Sequence, residues 1–314
     1  MRNKKCLNRV KAFVMITVLS FSAVWFAGCG SNAETSGQKP TDNSESADMS
    51  SENVETPADN SESADISSEI VEIPDPVLKK AIQDALEIGD REITKANALS
   101  LTSLSFKGDR NQRIKDITGL SAFKNLTELH LRFNWVSDIS ALSGLTSLTE
   151  LDLLDNEIND ISALSGLTNL RVLSLESNQI SDISVLSDLT NLKRLSLFGN
   201  QLSDISALSG LTNLTELNLL SNQISDISAL SGLTNLNNLV LSKNQISDIS
   251  ALSNLTSLTY LDLRENKISD ISALSGLTNL QWLNLKGNPV LENKSREEIM
   301  EALSGAENLT NVDF

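Results

Sequence analysis

Cysteine is almost absent from this chain: Cys6 and Cys29 are the only two among 314 residues, and both precede every patterned segment. With a single histidine, His130, that scarcity excludes a disulfide framework and a Cys/His metal cluster, so no metal or other cofactor is expected. Basic residues are also few, 25 Lys and Arg against 41 Asp and Glu, a formal net charge of −16. Nucleic-acid affinity comes largely from Lys and Arg neutralising phosphates, so no nucleic-acid partner is expected. The same acid excess disfavours adsorption to anionic lipid by charge. The apolar run at 12–27 is 16 residues long, shorter than the roughly 20 that a membrane-spanning helix needs.

That run follows a basic stretch holding Arg2, Lys4, Lys5, Arg9 and Lys11, the pattern of a secretory signal over residues 1–28. The junction Phe26-Ala27-Gly28-Cys29 resembles a bacterial lipoprotein lipobox, with Phe26 in place of the usual leucine. The resemblance implies cleavage before Cys29, lipidation of Cys29, and a chain exported and anchored by lipid to the outer face of the bacterial cell membrane. An uncleaved anchor helix is the alternative. Residues 29–72 read as an acidic, disordered tether, because they hold too little apolar surface to offset the entropy of ordering. The tether carries a duplication, DNSESADMSSENVE at 42–55 and DNSESADISSEIVE at 59–72.

A 22-residue period then takes over. Its marker asparagine recurs at Asn134, Asn156, Asn178, Asn200, Asn222, Asn244, Asn266 and Asn288, within L-x-x-L-x-L-x-x-N-x-I followed by D-I-S-x-L. A repeat of this length and leucine spacing is the signature of a leucine-rich-repeat solenoid. The L-x-L segments over 101–288 predict short parallel strands on a concave face, with the leucines pointing inward. Ten such strands would span roughly 43 Å. The D-I-S-x-L segments predict 3₁₀ turns on the convex face, N-capped by aspartates 138 to 270. The marker asparagines should satisfy buried backbone groups of their own and neighbouring coils.

Both ends of the array predict helical lids, because an uncapped coil would expose its leucines. The N-terminal cap, 73–100, opens with Asp75 as N-cap and Pro76 at the first helical position. Leu78, Ala81, Ile82, Ala85 and Leu86 share its inner face, and Gly89 is the expected stop. Leu104 and Leu129 lie 25 residues apart, one period plus three, which places an exposed insertion at 107–113. In the C-terminal cap, 289–314, Ser295 and Glu298 form a capping box ahead of a helix with Ile299, Met300 and Leu303 inward and Gly305 as its stop.

The repeat unit and the cap IPDPVLKKAIQDAL together resemble the internalin-type repeats of bacterial surface proteins, over 73–314. Family members that are linked to the cell wall carry a C-terminal sortase signal, and an immunoglobulin-like domain often follows the repeats; neither is seen before Phe314. The fold class implied is an α/β solenoid, a horseshoe with strands on the concave face, 3₁₀ turns on the convex face and helical caps at both ends. The resemblance implies a monomeric surface module that binds a protein ligand through its concave face.

The slots that the repeat leaves free are where such binding would reside. Glu128, Glu150, Asp152, Asp155 and Glu176 form an acidic zone toward the N-terminal coils, with His130, Arg132 and Phe133 beside it. Leu154, Phe198 and Leu220, with Val172 and Val240 nearby, form an apolar strip in the middle. Tyr260 and Trp282 fall in one column beside Arg264 and Lys286. Exposed aromatics and Arg are enriched in binding hot spots, and a contiguous apolar patch marks an interaction surface. No nucleophile is placed beside His130, and carboxylates on an open sheet lack the pocket that would shift their pKa values, so catalysis is not expected. The leading reading is adhesion or scaffolding through a protein ligand. A glycan-binding module that stacks sugars on Tyr260 and Trp282 is the alternative, as is a structural spacer of the cell envelope.

Overall fold

The computed structural model describes residues 68–314. The signal segment, Cys29 and the tether up to residue 67 lie outside the described residues. Ten three-residue strands form one parallel sheet in chain order, from β1 (Ser103–Ser105) and β2 (Glu128–His130) to β9 (Trp282–Asn284) and β10 (Asn311–Asp313). Each L-x-L leucine sits opposite its counterpart one coil away, Leu129 against Leu151 and Leu151 against Leu173. A constant register follows from a constant period, because a slip of one residue would turn every leucine out of the core.

Eight 3₁₀ turns face the sheet from the convex side, from Leu120–Ala122 and Ser140–Leu142 to Ser272–Leu274. The aspartates act one position earlier than a regular N-cap would. Asp138 Oδ1 accepts the N–H of Ser140 at 2.8 Å, and Asp160, Asp182, Asp204, Asp226, Asp248 and Asp270 do the same two residues on. These are Asx turns that steer the chain into each 3₁₀ turn. The isoleucine between Asp and Ser is buried in every one of these coils.

The marker asparagines form the expected ladder. Asn156 accepts the N–H of Val136 and donates to the carbonyls of Leu131 and Leu153, at 2.9 to 3.0 Å. Each amide thus ties its own coil to the preceding one and satisfies backbone groups that water cannot reach. A second ladder went unread in the sequence. The asparagines of L-T-N-L, among them Asn169, Asn191, Asn213 and Asn235, donate to the threonine carbonyl of the coil before.

Helix α1 (Pro76–Ala85) forms the N-terminal lid, with Asp75 accepting the N–H groups of Val77 and Leu78 and with Leu78 and Ile82 buried. It ends before Gly89: Glu87 takes the left-handed conformation, and Ile88 N–H reaches the Gln83 carbonyl in a Schellman-type closure. Ala85 is exposed, and Gln83 is buried in its stead, donating to the Arg91 carbonyl. A short helix α2 (Lys95–Ser100), capped by Thr94 and Asn97, follows without having been foreseen. Regular structure also begins earlier than the tether boundary at residue 72. Ile70 bridges Thr94, Val71 N–H bonds the Ile93 carbonyl, and Lys95 pairs with Glu69. Val71 and Ile73 are drawn in because they cover the leucines of the first coil.

At the other end, α3 (Val290–Asn293) and α4 (Arg296–Ala302) make the second lid, and the Ser295/Glu298 capping box is present. Ile299 and Leu303 point inward, but Met300 is 41% exposed, one position off the buried face. Among the described residues no helix is long and apolar enough to cross a membrane.

Candidate binding face

Four columns of side chains line the sheet: two alternate with the first leucine within the strands, and two follow the second leucine. The fourth column has a constraint that the sequence pattern conceals. Phe133, Asp155, Ser177, Ser221, Lys243 and Glu265 all have φ between 51° and 58°, and only Gly199 and Gly287 relieve it. Left-handed backbone is costly for residues with a Cβ, and here the amide of the following marker asparagine holds it in place.

The acidic zone is less acidic in effect than its letters. Arg132 Nε reaches Asp152 Oδ2 at 2.5 Å, and Asp152 Oδ1 also accepts the Leu154 N–H, so this carboxylate is buried but neutralised. Glu150 sits in register between Glu128 and Val172. Glu176 is the unusual member. Burial pushes its carboxyl up to about 7; the nearby Asp152 adds to the rise, and Ser196 and Arg132 oppose it. Ser196 Oγ is fully enclosed and makes no hydrogen bond of regular geometry, although it lies beside that carboxyl. His130 lies opposite Asp152.

The apolar strip corrects the sequence reading. Phe198 and Val240 are each 3% exposed and Leu154 is 7%, so three of its five members are packing residues rather than a surface patch; Val172 and Leu220 are partly open. Coils spaced roughly 4.8 Å apart pack column neighbours against one another, which covers most of a large side chain.

The C-terminal zone assembles what the sequence suggested. Tyr260 and Trp282 are opposite each other in β8 (Tyr260–Asp262) and β9, with ring centroids 4.1 Å apart and planes 2° from parallel. Desolvation raises the Tyr260 phenol to about 12, with the Asp262 charge adding to the rise, so it stays protonated and able to donate. Arg264 is held flat by Asp262, its Nε at 2.9 and 3.0 Å from the two carboxylate oxygens and Nη2 at 2.5 Å. Lys286 is exposed at the end of the same column as Arg264. Across strands, Arg194 and Glu216 pair at 3.2 Å, which fills the space between the zones with a closed ion pair.

Two hollows of about 530 and 540 Å³ lie elsewhere, between convex turns lined by Asp138 and Asp160 or by Asp226 and Asp248. Among the described residues no group of three or more His, Cys, Asp or Glu side chains is arranged to hold a metal ion.

Comparison with known proteins agrees with this architecture. The family model described as leucine-rich repeats in two copies matches in six placements, from 124–167 through 256–295. Internalin C2 of Listeria monocytogenes is 33% identical, with a TM-score of 0.55 over 76% of this chain and 93% of that one. A leucine-rich-repeat protein of Leptospira interrogans is 25% identical over 69% of this chain and 62% of its own, with a TM-score of 0.59. A Listeria InlJ domain that includes a cysteine ladder shares the fold at 23% identity and a TM-score of 0.59, over 76% of this chain and 59% of that one. No curated protein matches. The chain belongs to the leucine-rich-repeat family, as a member similar to the internalins of Listeria.

Proposed function

We propose that this protein is a bacterial surface module whose concave face binds another protein, with the Tyr260–Trp282 pair at the centre of the contact. The observation that carries this reading is the stack itself. Two large rings, stacked in parallel and each partly exposed, stand in one column of the face beside the column that holds Arg264, paired with Asp262, and the exposed Lys286. Aromatic and Arg anchors that are ordered beforehand lose little side-chain entropy on binding, which is why they dominate interface energetics. The apolar middle contributes shape rather than exposed area, because Phe198 and Val240 are buried. Similarity to an internalin over most of its length supports the assignment to the cell surface.

A glycan reading has less support, because the stack occupies one face of each ring and Asn238 and Asn311 stand opposite the pair on the neighbouring strands. Anchoring through Cys29 completes the proposal and places the module at the outer membrane face, with the acidic segment as its spacer. The test is photo-crosslinking on intact cells from a probe amino acid placed at Trp282, compared with one at Ser253 on the convex side. A protein adduct specific to position 282 and lost with Tyr260→Ser supports the reading. Equal adducts from both positions, or a carbohydrate adduct, would reject it.

A further inference from the structure

A second surface lies on the rim of the first full coil, where the 107–113 insertion runs beside Phe133 and Trp135. In later coils these two rim positions hold small, polar or charged residues, such as Asp155 and Glu157 or Ser177 and Gln179. The repeat therefore does not require aromatics there. Phe133 is also a bulky residue held at φ 58°, a conformation that small or polar residues tolerate better. Trp135 is 40% exposed, one of four large apolar side chains in that state among the described residues.

Cations surround both rings. Lys107 Nζ lies 5.1 Å from the Phe133 ring centre, while Arg113 and Lys115 lie 5.0 and 4.8 Å from that of Trp135. The rings orient these cations without neutralising them, and among the described residues none of the three is in an ion pair within 4 Å. The nearby acids direct their hydrogen bonds to the backbone, although the Asp109 charge also acts on Arg113. Asp109 accepts the N–H groups of Asn111 and Gln112, Asp116 accepts that of Thr118, and buried Asp75 accepts those of Val77, Leu78, Lys115 and Asp116.

Backbone hydrogen bonds tie the loop to the coil beneath it. Gly108 N–H bonds the Arg132 carbonyl, and a Cβ at Gly108 would fall 2.1 Å from the Phe133 oxygen, so only glycine fits. Arg113 Nε holds the Asp109 carbonyl, Ile114 N–H the Asn134 amide, and Trp135 N–H the Ile114 carbonyl.

We propose that this rim patch, which adjoins the concave face through Phe133, is a docking site for a short acidic segment of a protein partner, with carboxylates on Lys107, Arg113 and Lys115 and an apolar side chain on Trp135. Charge complementarity selects an acidic ligand. The extent of the patch selects a short one, because a chain of net charge −16 would repel a long polyanion beyond this one loop.

The test uses the full chain and a short fluorescein-labelled peptide of alternating glutamate and leucine, read by fluorescence anisotropy. Binding that weakens with salt, falls roughly tenfold in Arg113→Glu/Lys115→Glu, and is unchanged in Lys267→Glu on a later coil supports the proposal. Phe133→Gly should lower binding while keeping or raising the melting temperature. A drop in melting temperature would make the ring structural and overturn the argument. No peptide binding at millimolar concentration, indifference to charge reversal, or equal binding of inorganic polyphosphate or phosphatidylglycerol vesicles would also overturn it.

Discussion

Glu176 gives the sharpest test of the concave-face electrostatics. Its side chain is half-buried between the coils beside buried Asp152 and Ser196, and desolvation pushes its carboxyl up from the ordinary 4.5 to about 7. Between those two values the folded protein holds a proton that the unfolded chain has already released. Stability must therefore fall as pH rises through this window and level off above it. A shift of this size corresponds to about 3 kcal/mol once ionisation is complete. Glu176→Gln removes the charge while keeping the shape. The variant should match the parent in urea unfolding near pH 4.5 and exceed it by about 3 kcal/mol near pH 8. The aspartates of the convex turns do not blur the comparison. The serine N–H groups hold Asp138, Asp182, Asp226, Asp248 and Asp270 below the usual 3.8, so their contribution is lost only at lower pH. A parent-minus-variant difference that stays constant from pH 4.5 to 8 would refute the desolvated-carboxyl argument.

Other outcomes follow from the same geometry. Asn200→Ala strips the Ile180 N–H and the Leu175 and Leu197 carbonyls of their partner in a buried setting, and should cost about 2–4 kcal/mol in chemical denaturation. Phe198→Ala should cost about 3–5 kcal/mol, because its ring is packed like a core residue; a loss under 1 kcal/mol in the same assay would place the ring in solvent after all. Tyr260→Ala should lower stability by about 1 kcal/mol beyond the area it uncovers, and a double-mutant cycle with Trp282→Ala measures that coupling directly. For the proposed anchor, Cys29→Ala should move the protein from the membrane fraction to the soluble fraction; retention in the membrane would point to an uncleaved helix.

The legible parts of the sequence are those that the period repeats. In each repeat the first leucine of L-x-L became the centre of a strand, and every marker asparagine joined the ladder, because a solenoid coil contacts only its neighbours and a local pattern fixes the local structure. Legibility fell where the period breaks. Helix α2 and the pairing of Ile70 with Thr94 arise from the need to cover one open end of the leucine core, which no repeat letter encodes. The glycine stop expected at Gly89 yielded to Glu87, whose left-handed turn is secured by the closing hydrogen bond from Ile88.

The face itself divides in the same way. Period and spacing alone determined which side chains line the sheet and which of them share a column. Whether a column member meets solvent was decided only by stacking. The strand spacing buries Phe198 and Val240 and half-buries Glu176, while Tyr260 and Trp282 close into a parallel pair that stays partly exposed. A sequence lists neighbours along the chain, whereas burial and charge depend on neighbours one coil away, set by the dimensions of the backbone ladder.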